Sequence, residues 1–293
     1  METTLTLEQA SKPWQAYSAD ELEYNYNPRA SNPDSERYGE ARTEINKAGL
    51  AWSGRTAGIA YGDGPLRNLD IYRPASSAGS LPVHIFIHGG YWRSREKEDF
   101  GFIGKALADQ GLLGIVINYP LCPVVTLDEV VTANQQAFEW IFRNIADHGG
   151  DPARISISGH SAGAHLGAAI IASDWSGLDA AKPLRGAVLV SGIYDPAPTQ
   201  HISVNAEIGI TPEIAARQNY IAHPPRLDCP VHVIVGGGEP EGWIAQSADY
   251  ARHIKSSGVP TEYTVTGTEN HFSIQDQFCD PNADVLAAIL KLA

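Results

Sequence analysis

The sequence predicts an α/β protein with a mostly parallel central sheet and helices on both faces. From about residue 55, short apolar runs rich in β-branched residues alternate with longer stretches whose apolar residues recur at helical spacing. This strand, helix, strand order implies right-handed crossovers, which place helices over both faces of a parallel sheet. The predicted strands are LDIYR (69–73), VHIFI (83–87), LGIVI (113–117), ISIS (155–158), AVLVS (187–191), VHVIV (231–235) and EYTV (262–265).

The chain is expected to form one main domain over residues 51–293, with an N-terminal helical extension, residues 1–50, packed on it. The extension is polar, and Ser18 is a candidate helix cap before ADELEYNYN. A stretch at about 193–228, which contains several prolines and no clear strand, interrupts the rhythm of the main domain. We interpret it as a lid inserted after strand 6, shaping a substrate pocket.

Charge and cysteine content limit the classes of partner. The formal net charge of −13 disfavours nucleic acid, because binding a polyanion needs clustered Lys and Arg. The three cysteines, Cys122, Cys229 and Cys279, are an odd, widely spaced set, typical of buried thiols in a reducing compartment. METTLTLEQASKPW lacks the pattern of a secretory signal, and no window approaches a membrane span. We expect a cytoplasmic protein with a small-molecule substrate and no membrane partner, and a homodimer is the candidate oligomeric state.

The strongest chemical motif is Gly159-His160-Ser161-Ala162-Gly163. It directly follows the predicted strand RISIS and directly precedes the helical run AHLGAAIIAS. A strand that turns sharply into a helix holds the residue at the tip in a strained conformation, and flanking glycines relieve the crowding. Ser161 is therefore the predicted nucleophile, at a helix N-terminus that favours developing negative charge.

The segment IHGGYW (87–92) is the candidate source of oxyanion donors. Its two glycines lie where the chain leaves a predicted strand, so backbone N–H groups can face the pocket. Acyl transfer needs such donors aimed at the developing oxyanion. We assign the N–H groups of Gly90, Tyr91 and Ala162 to this role.

His271 is the predicted general base, since the triad order of this motif type is serine, acid, histidine. It lies in GTENHFS, after the last predicted strand. The acid should follow the strand VHVIV, where the chain reads GGGEPEGW. Glu239 is nearest to the strand end and is preferred, with Glu241 and Asp228 as alternatives. A carboxylate there would fix the tautomer of the histidine and stabilise its imidazolium form.

HGGYW, GDPARISISGHSAGAHL, NYPLCPVVTLDEVV, GGGEPEGWIAQS and the early ELEYNYNPR resemble the kynurenine formamidase (arylformamidase) group of α/β-hydrolases. The likeness runs from about residue 20 to the end. It implies hydrolysis of an N-formyl amide without a cofactor, with Ser161 as nucleophile, Glu239 as acid and His271 as base. Many members of the group have aspartate at the acid position.

The expected function is hydrolysis of a small amide or ester, with an N-formyl amide such as N-formylkynurenine, or a related product of N-heterocycle breakdown, as the first substrate hypothesis. A small-molecule carboxylesterase and a catalytically inactive ligand-binding scaffold are the alternatives. We expect neither metal nor cofactor, because no ligand spacing for an ion is present. An arginine, Arg93 or Arg95, is a candidate partner for a substrate carboxylate. The predicted substrate-binding residues are Trp92, Arg93, Tyr194, Trp243 and Phe272, with Tyr91 as a further aromatic candidate.

Overall fold

An eight-stranded sheet is the centre of the molecule, with strand order β1-β2-β4-β3-β5-β6-β7-β8. A computed structural model describes residues 12–76, 79–180 and 182–293. Strand β2 pairs antiparallel with both β1 and β4, and every other pairing in the sheet is parallel. This is the α/β-hydrolase fold, with the mostly parallel sheet that the sequence predicts.

The strands are β1 (Arg55–Ala60), β2 (Asn68–Tyr72), β3 (Leu81–Ile87), β4 (Leu113–Ile117), β5 (Gly150–His160), β6 (Gly186–Val190), β7 (Val231–Gly236) and β8 (Thr261–Thr266). The helices are α1 (Ala19–Tyr26), α2 (Pro28–Ser31), α3 (Glu36–Ala41), α4 (Thr43–Leu50), α5 (Gly101–Asp109), α6 (Leu127–Asn144), α7 (Ala162–Ala172), α8 (Asn205–Ile208), α9 (Pro212–Arg217), α10 (Glu241–Ser256) and α11 (Asp284–Leu290). Short 3₁₀ helices cover Trp14–Ala16, Lys97–Phe100, Ile145–His148, Ala197–His201 and Ser273–Phe278.

Alternating side chains of the central strands build a separate core on each face of the sheet. Val83, Ile85 and Ile87 of β3 join the core that contains residues of α6, α7 and α10. Phe86, from the same strand, joins the opposite core with residues of α5 and α11. Successive side chains of a strand point to opposite faces, so an almost uninterrupted apolar run is what a sheet covered on both sides requires.

All seven predicted strands are present, and an eighth strand, β1, was not predicted from the sequence. This strand is at the edge of the sheet and most of its residues are exposed. Gly58 has a φ of +71°, and the register with β2 shifts between Thr56 and Ile59. An exposed, irregular edge strand has no apolar run, so hydrophobic patterning does not detect it.

The first described residues form four short helices that contact the main body of the chain. Ser18 caps α1 through a reciprocal capping box with Glu21, as the sequence suggested. Helix α1 packs against α10, and α4 packs against α5. Arg42, between α3 and α4, donates from Nε to Asp276 at 2.6 Å and from a terminal nitrogen to the carbonyl of Phe272 at 2.7 Å. The extension is thereby bound to the loop that follows β8.

The segment at about 193–228, which follows the sixth strand, contains the 3₁₀ helix Ala197–His201 and helices α8 and α9. Its role as a lid stays a prediction. None of the helices in the described parts of the chain is both long and apolar enough to cross a membrane.

Candidate active site

Ser161 lies at the tip of a tight turn between β5 and α7, with φ at +58° and ψ at −121°. A side chain is rarely found in this conformation, which is strained for any residue except glycine. The flanking glycines are required by packing. A Cβ at Gly159 would lie 2.2 Å from the carbonyl oxygen of Gly163, and a Cβ at Gly163 would lie 2.0 Å from that of Ile87. The motif therefore brings helix and strand close enough to lift the Ser161 hydroxyl above the end of the sheet.

A continuous chain of hydrogen bonds joins Ser161, His271 and Glu239. Nε2 of His271 lies 2.9 Å from Oγ of Ser161, and Nδ1 of the same ring lies 2.7 Å from Oε2 of Glu239. All three residues are buried. These distances are within the range for proton transfer and for orientation of an imidazole by a carboxylate.

Among the three candidate acids, only Glu239 reaches the histidine. It follows β7, and the fold brings the end of β7 beside the loop after β8 that contains His271. Glu241 is exposed at the first turn of α10, and Asp228 is exposed beside Lys182, 3.7 Å away. The Glu239 side chain thus reaches Nδ1 of His271 from the end of β7.

The turn after β3 has an unusual backbone that exposes N–H groups. Gly90, Tyr91 and Trp92 have φ values of +120°, +54° and +55°. A Cβ at Gly90 would lie 2.1 Å from the carbonyl oxygen of Ser94, so only glycine fits there. In the part of the chain that the structure describes, the N–H groups of Gly90, Tyr91 and Ala162 have no protein acceptor. They remain available to a ligand beside Ser161, which lines the same cavity as Gly90 and Tyr91.

The cavity in front of Ser161 has a volume of about 350 Å³, within the usual range for small-molecule sites. Residues of the segment 27–47 form much of its wall, and Val204 is the contribution of the segment 193–228. The sequence analysis predicted that the segment 193–228 shapes the pocket. The aromatic residues on the wall are Tyr38, Tyr91, Phe100, Phe102 and Phe272, and the cationic residues are Arg29, Arg42, Lys47, Arg93 and Arg95.

Two of the predicted substrate-binding residues, Arg93 and Phe272, line this cavity. The other three, Trp92, Tyr194 and Trp243, do not line it. Trp92 is fully buried edge-on to His165, and Tyr194 is fully buried in a stack on Tyr250. Both are core residues.

Trp243 is also buried away from the cavity wall. The edge of its ring packs against His271, with ring centroids 4.4 Å apart and an interplanar angle of 69°. Its Nε1 donates to the carbonyl of Ser191 at 2.7 Å. Trp243 therefore supports the histidine from behind.

The histidines that flank the motifs brace loops. The His160 ring bonds through Nε2 to the carbonyl of His271 at 2.9 Å. Burial, with a smaller contribution from the neighbouring His271, lowers the pKa of His160 well below its usual value, so this ring is neutral and Nε2 is the donor. Burial likewise lowers the pKa of His88 to about 4 and that of His165 to about 4.

Neither a metal centre nor a disulfide is apparent in the described parts of the chain. There, no group of three or more His, Cys, Asp and Glu side chains could hold an ion. Cys122 and Cys229 are buried free thiols, and Cys279 is a half-buried one.

Sequence reasoning did not find three residues that support the site: Ser191, Tyr38 and Arg42. The Tyr38 ring stacks on Phe272 with an interplanar angle of 10°, and its hydroxyl accepts from the side chain of Asn270 at 2.7 Å. These residues lie at a strand end or in the N-terminal helices, where no local motif marks them. Only the tertiary fold brings them beside His271.

Comparisons with known proteins identify what this chain is similar to. A family model described as BD-FAE matches residues 69–181. The chain is 29% identical over 290 residues to the kynurenine formamidase of Danio rerio, covering 95% of this chain and 98% of that protein.

Two solved structures share the fold over almost the whole chain. A putative thioesterase from Silicibacter sp. superposes with a TM-score of 0.77 at 23% identity, covering 92% of this chain and 98% of the other. An esterase from Pyrobaculum calidifontis superposes with a TM-score of 0.72 at 17% identity, covering 98% and 95%. Fold, motif order and near full-length similarity agree: the chain has the α/β-hydrolase fold and resembles the kynurenine formamidases along nearly its whole length.

Proposed function

We propose that this chain is a serine hydrolase that cleaves the N-formyl amide of an aromatic amine, through a triad of Ser161, His271 and Glu239. N-formylkynurenine, or a related N-formyl or N-acyl product of N-heterocycle breakdown, is the substrate class. The observation that carries the proposal is the hydrogen-bonded chain from the Ser161 hydroxyl through both ring nitrogens of His271 to the buried Glu239 carboxylate.

The first half-reaction forms an acyl-enzyme. Oγ of Ser161 attacks the formyl carbon while Nε2 of His271 takes the hydroxyl proton, and Glu239 stabilises the resulting imidazolium. The N–H groups of Gly90, Tyr91 and Ala162 hold the oxyanion of the tetrahedral intermediate. When the C–N bond breaks, His271 gives the proton to the leaving nitrogen and the free amine departs.

The second half-reaction restores the enzyme. A water molecule attacks the formyl ester of Ser161 and passes a proton to His271. The bond between Oγ and the carbonyl carbon then breaks, Oγ recovers the proton from His271, and formic acid leaves and gives its proton to solvent to become formate. No redox step or cofactor is needed for this balance.

Support for an aromatic leaving group comes from the aromatic residues that line the cavity, Tyr38, Phe100, Phe102 and Phe272, because aromatic rings pack favourably on one another. Support for the formyl group comes from the similarity to the fish kynurenine formamidase along nearly the entire chain.

The test compares wild type with Ser161→Ala in a mass-spectrometric screen of N-formyl aromatic amines, N-acetyl aromatic amines and small esters. Formate release by wild type, reduced on the order of 10⁶-fold in Ser161→Ala, is the expected result. A wild-type enzyme that turns over no formamide would overturn the substrate assignment. Failure of a fluorophosphonate to label Ser161 in the folded protein would overturn the triad and favour a ligand-binding scaffold.

A small-molecule carboxylesterase is the second candidate, because the same triad would serve it and an esterase shares the fold. The two functions differ in the ratio of kcat/KM for N-formylkynurenine to that for p-nitrophenyl acetate. We expect the formamide to be the better substrate.

A further inference from the structure

We propose that Ser191 is a positioning residue for the triad acid: its hydroxyl fixes the carboxylate of Glu239 in the orientation that holds His271. The inference rests on the proposed function, since it concerns the same triad. Ser191 does not line the cavity, so it would act only through Glu239.

The two oxygens of the Glu239 carboxylate have separate partners. Oε2 accepts from Nδ1 of His271 at 2.7 Å. Oε1 accepts from the backbone N–H of Gly236 at 3.0 Å and from the hydroxyl of Ser191. The Glu239 side chain is completely buried, so these donors replace the water that would otherwise solvate the charge.

The backbone of Ser191 is held in place by hydrogen bonds on both sides. The residue directly follows β6, where its N–H donates to the carbonyl of Ile234 at 2.8 Å. Its carbonyl accepts from Nε1 of Trp243 at 2.7 Å. Its N–H and its carbonyl are thus both bonded to elements of the site, and its hydroxyl donates to Oε1 of Glu239.

Backbone strain at Ser191 indicates that its side chain is needed. Its φ is +50°, in the left-handed region that glycine occupies freely and other residues rarely adopt. Glycine would satisfy the backbone here but would supply no donor to Oε1. A strained residue that contacts the triad acid is an example of strain kept at a functional site.

The glutamate side chain makes a second fixing donor more important. Glutamate has one more rotatable bond than aspartate, so its carboxylate has more positions to lose when it is held against His271. With Ser191 and Gly236 both on Oε1, the plane of the carboxylate is set and Oε2 faces Nδ1. Without the Ser191 hydroxyl, the backbone N–H of Gly236 alone would have to hold Oε1 of the carboxylate.

The test uses Ser191→Ala, which keeps a strained φ, and Ser191→Gly, which relaxes it. Both remove the hydroxyl, so both should lose on the order of 10- to 100-fold in kcat with little change in KM. Ser156→Ala is the matched control, because Ser156 is also buried in the sheet and bonded by its hydroxyl to a side chain, that of His84 at 2.8 Å. It should retain wild-type kcat.

A double-mutant cycle separates positioning from general damage. In a Glu239→Ala background, Ser191→Ala should change the fluorophosphonate labelling rate of Ser161 by less than about twofold, because the group it positions is gone. The downfield proton signal of the His271 ring, bonded to Glu239 in wild type, should shift or broaden in Ser191→Ala at unchanged thermal stability.

Two outcomes would overturn the inference while the triad stands: a wild-type kcat in both Ser191 variants, or a full loss from Ser191→Ala in the Glu239→Ala background. A wild-type protein that the fluorophosphonate does not label would instead overturn the proposed function.

Discussion

Replacing Glu239 by glutamine keeps the shape of the side chain and removes its charge. Two donors, from Ser191 and Gly236, converge on Oε1, so the amide oxygen of glutamine must take that place. The amide NH₂ then faces Nδ1 of His271, which must become an acceptor. The ring proton moves to Nε2, which faces the Ser161 hydroxyl 2.9 Å away and can no longer accept its proton.

The expected cost of this wrong tautomer is about 10⁴-fold in kcat, the size seen when a serine protease triad acid is replaced by its amide. This corresponds to about 5.4 kcal/mol of transition-state stabilisation. Steady-state hydrolysis of an N-formyl amide and of p-nitrophenyl acetate measures it, with thermal unfolding as a check on folding. Glu241→Gln, two residues away and exposed, is the matched control and should keep wild-type activity. A Glu239→Gln enzyme within tenfold of wild type, or an equal loss in Glu241→Gln, would refute the assignment of the acid.

Three further predictions concern packing, pH and the cavity wall. Gly163→Ala should lower the free energy of unfolding by several kcal/mol, because the new Cβ would lie 2.0 Å from a backbone oxygen, whereas Gly177→Ala, which meets nothing within 4 Å, should be neutral in urea denaturation. Burial lowers the pKa of His84 to about 3, whereas the unfolded value is about 6.5. Between these two pH values the unfolded state binds one proton more than the folded state. The contribution of His84 to the free energy of unfolding should therefore fall by about 1.4 kcal/mol per pH unit as pH drops from 6 to 4. Denaturant titrations at several pH values should show that the dependence of the free energy of unfolding on pH is weaker in His84→Gln than in wild type, by the equivalent of about one proton. The same dependence in both proteins would contradict the prediction. Arg93 lines the cavity, and Arg93→Gln should raise KM about tenfold for a carboxylate-bearing formamide but not for a neutral ester; equal effects on both would argue against recognition of a carboxylate.

The sequence predicted the sheet and the positions of Ser161, Glu239 and His271 because each depends on a local rule. Apolar runs mark buried parallel strands, and small glycines mark the strand-to-helix turn. The triad order then assigns the acid and the histidine to loops after β7 and β8. Glu239 was distinguishable from Glu241 only by its nearness to the strand end, and the structure gives the reason: Glu241, the first residue of α10, faces solvent.

The substrate-binding residues could not be predicted in the same way. Trp92 is the last residue of the oxyanion segment, but it and Tyr91 have positive φ values and its side chain lies in the core. Tyr194 follows a strand end, yet it stacks on α10. Proximity in sequence to a motif does not determine which way a side chain points. Tyr38 and Arg42 reach the cavity from more than a hundred residues before the nucleophile, and no local pattern signals that contact.

The N-terminal helices are joined to the loop of His271 through Arg42 and through the stack of Tyr38 on Phe272. The N-terminal helices therefore form much of the cavity wall, whereas the residues proposed for catalysis lie at the ends of the strands. Substitutions in the segment 27–47 would change the shape of the cavity without any substitution at the strand ends. Replacing this segment by that of a homologue is accordingly a direct way to change substrate selectivity while the residues proposed for catalysis stay the same.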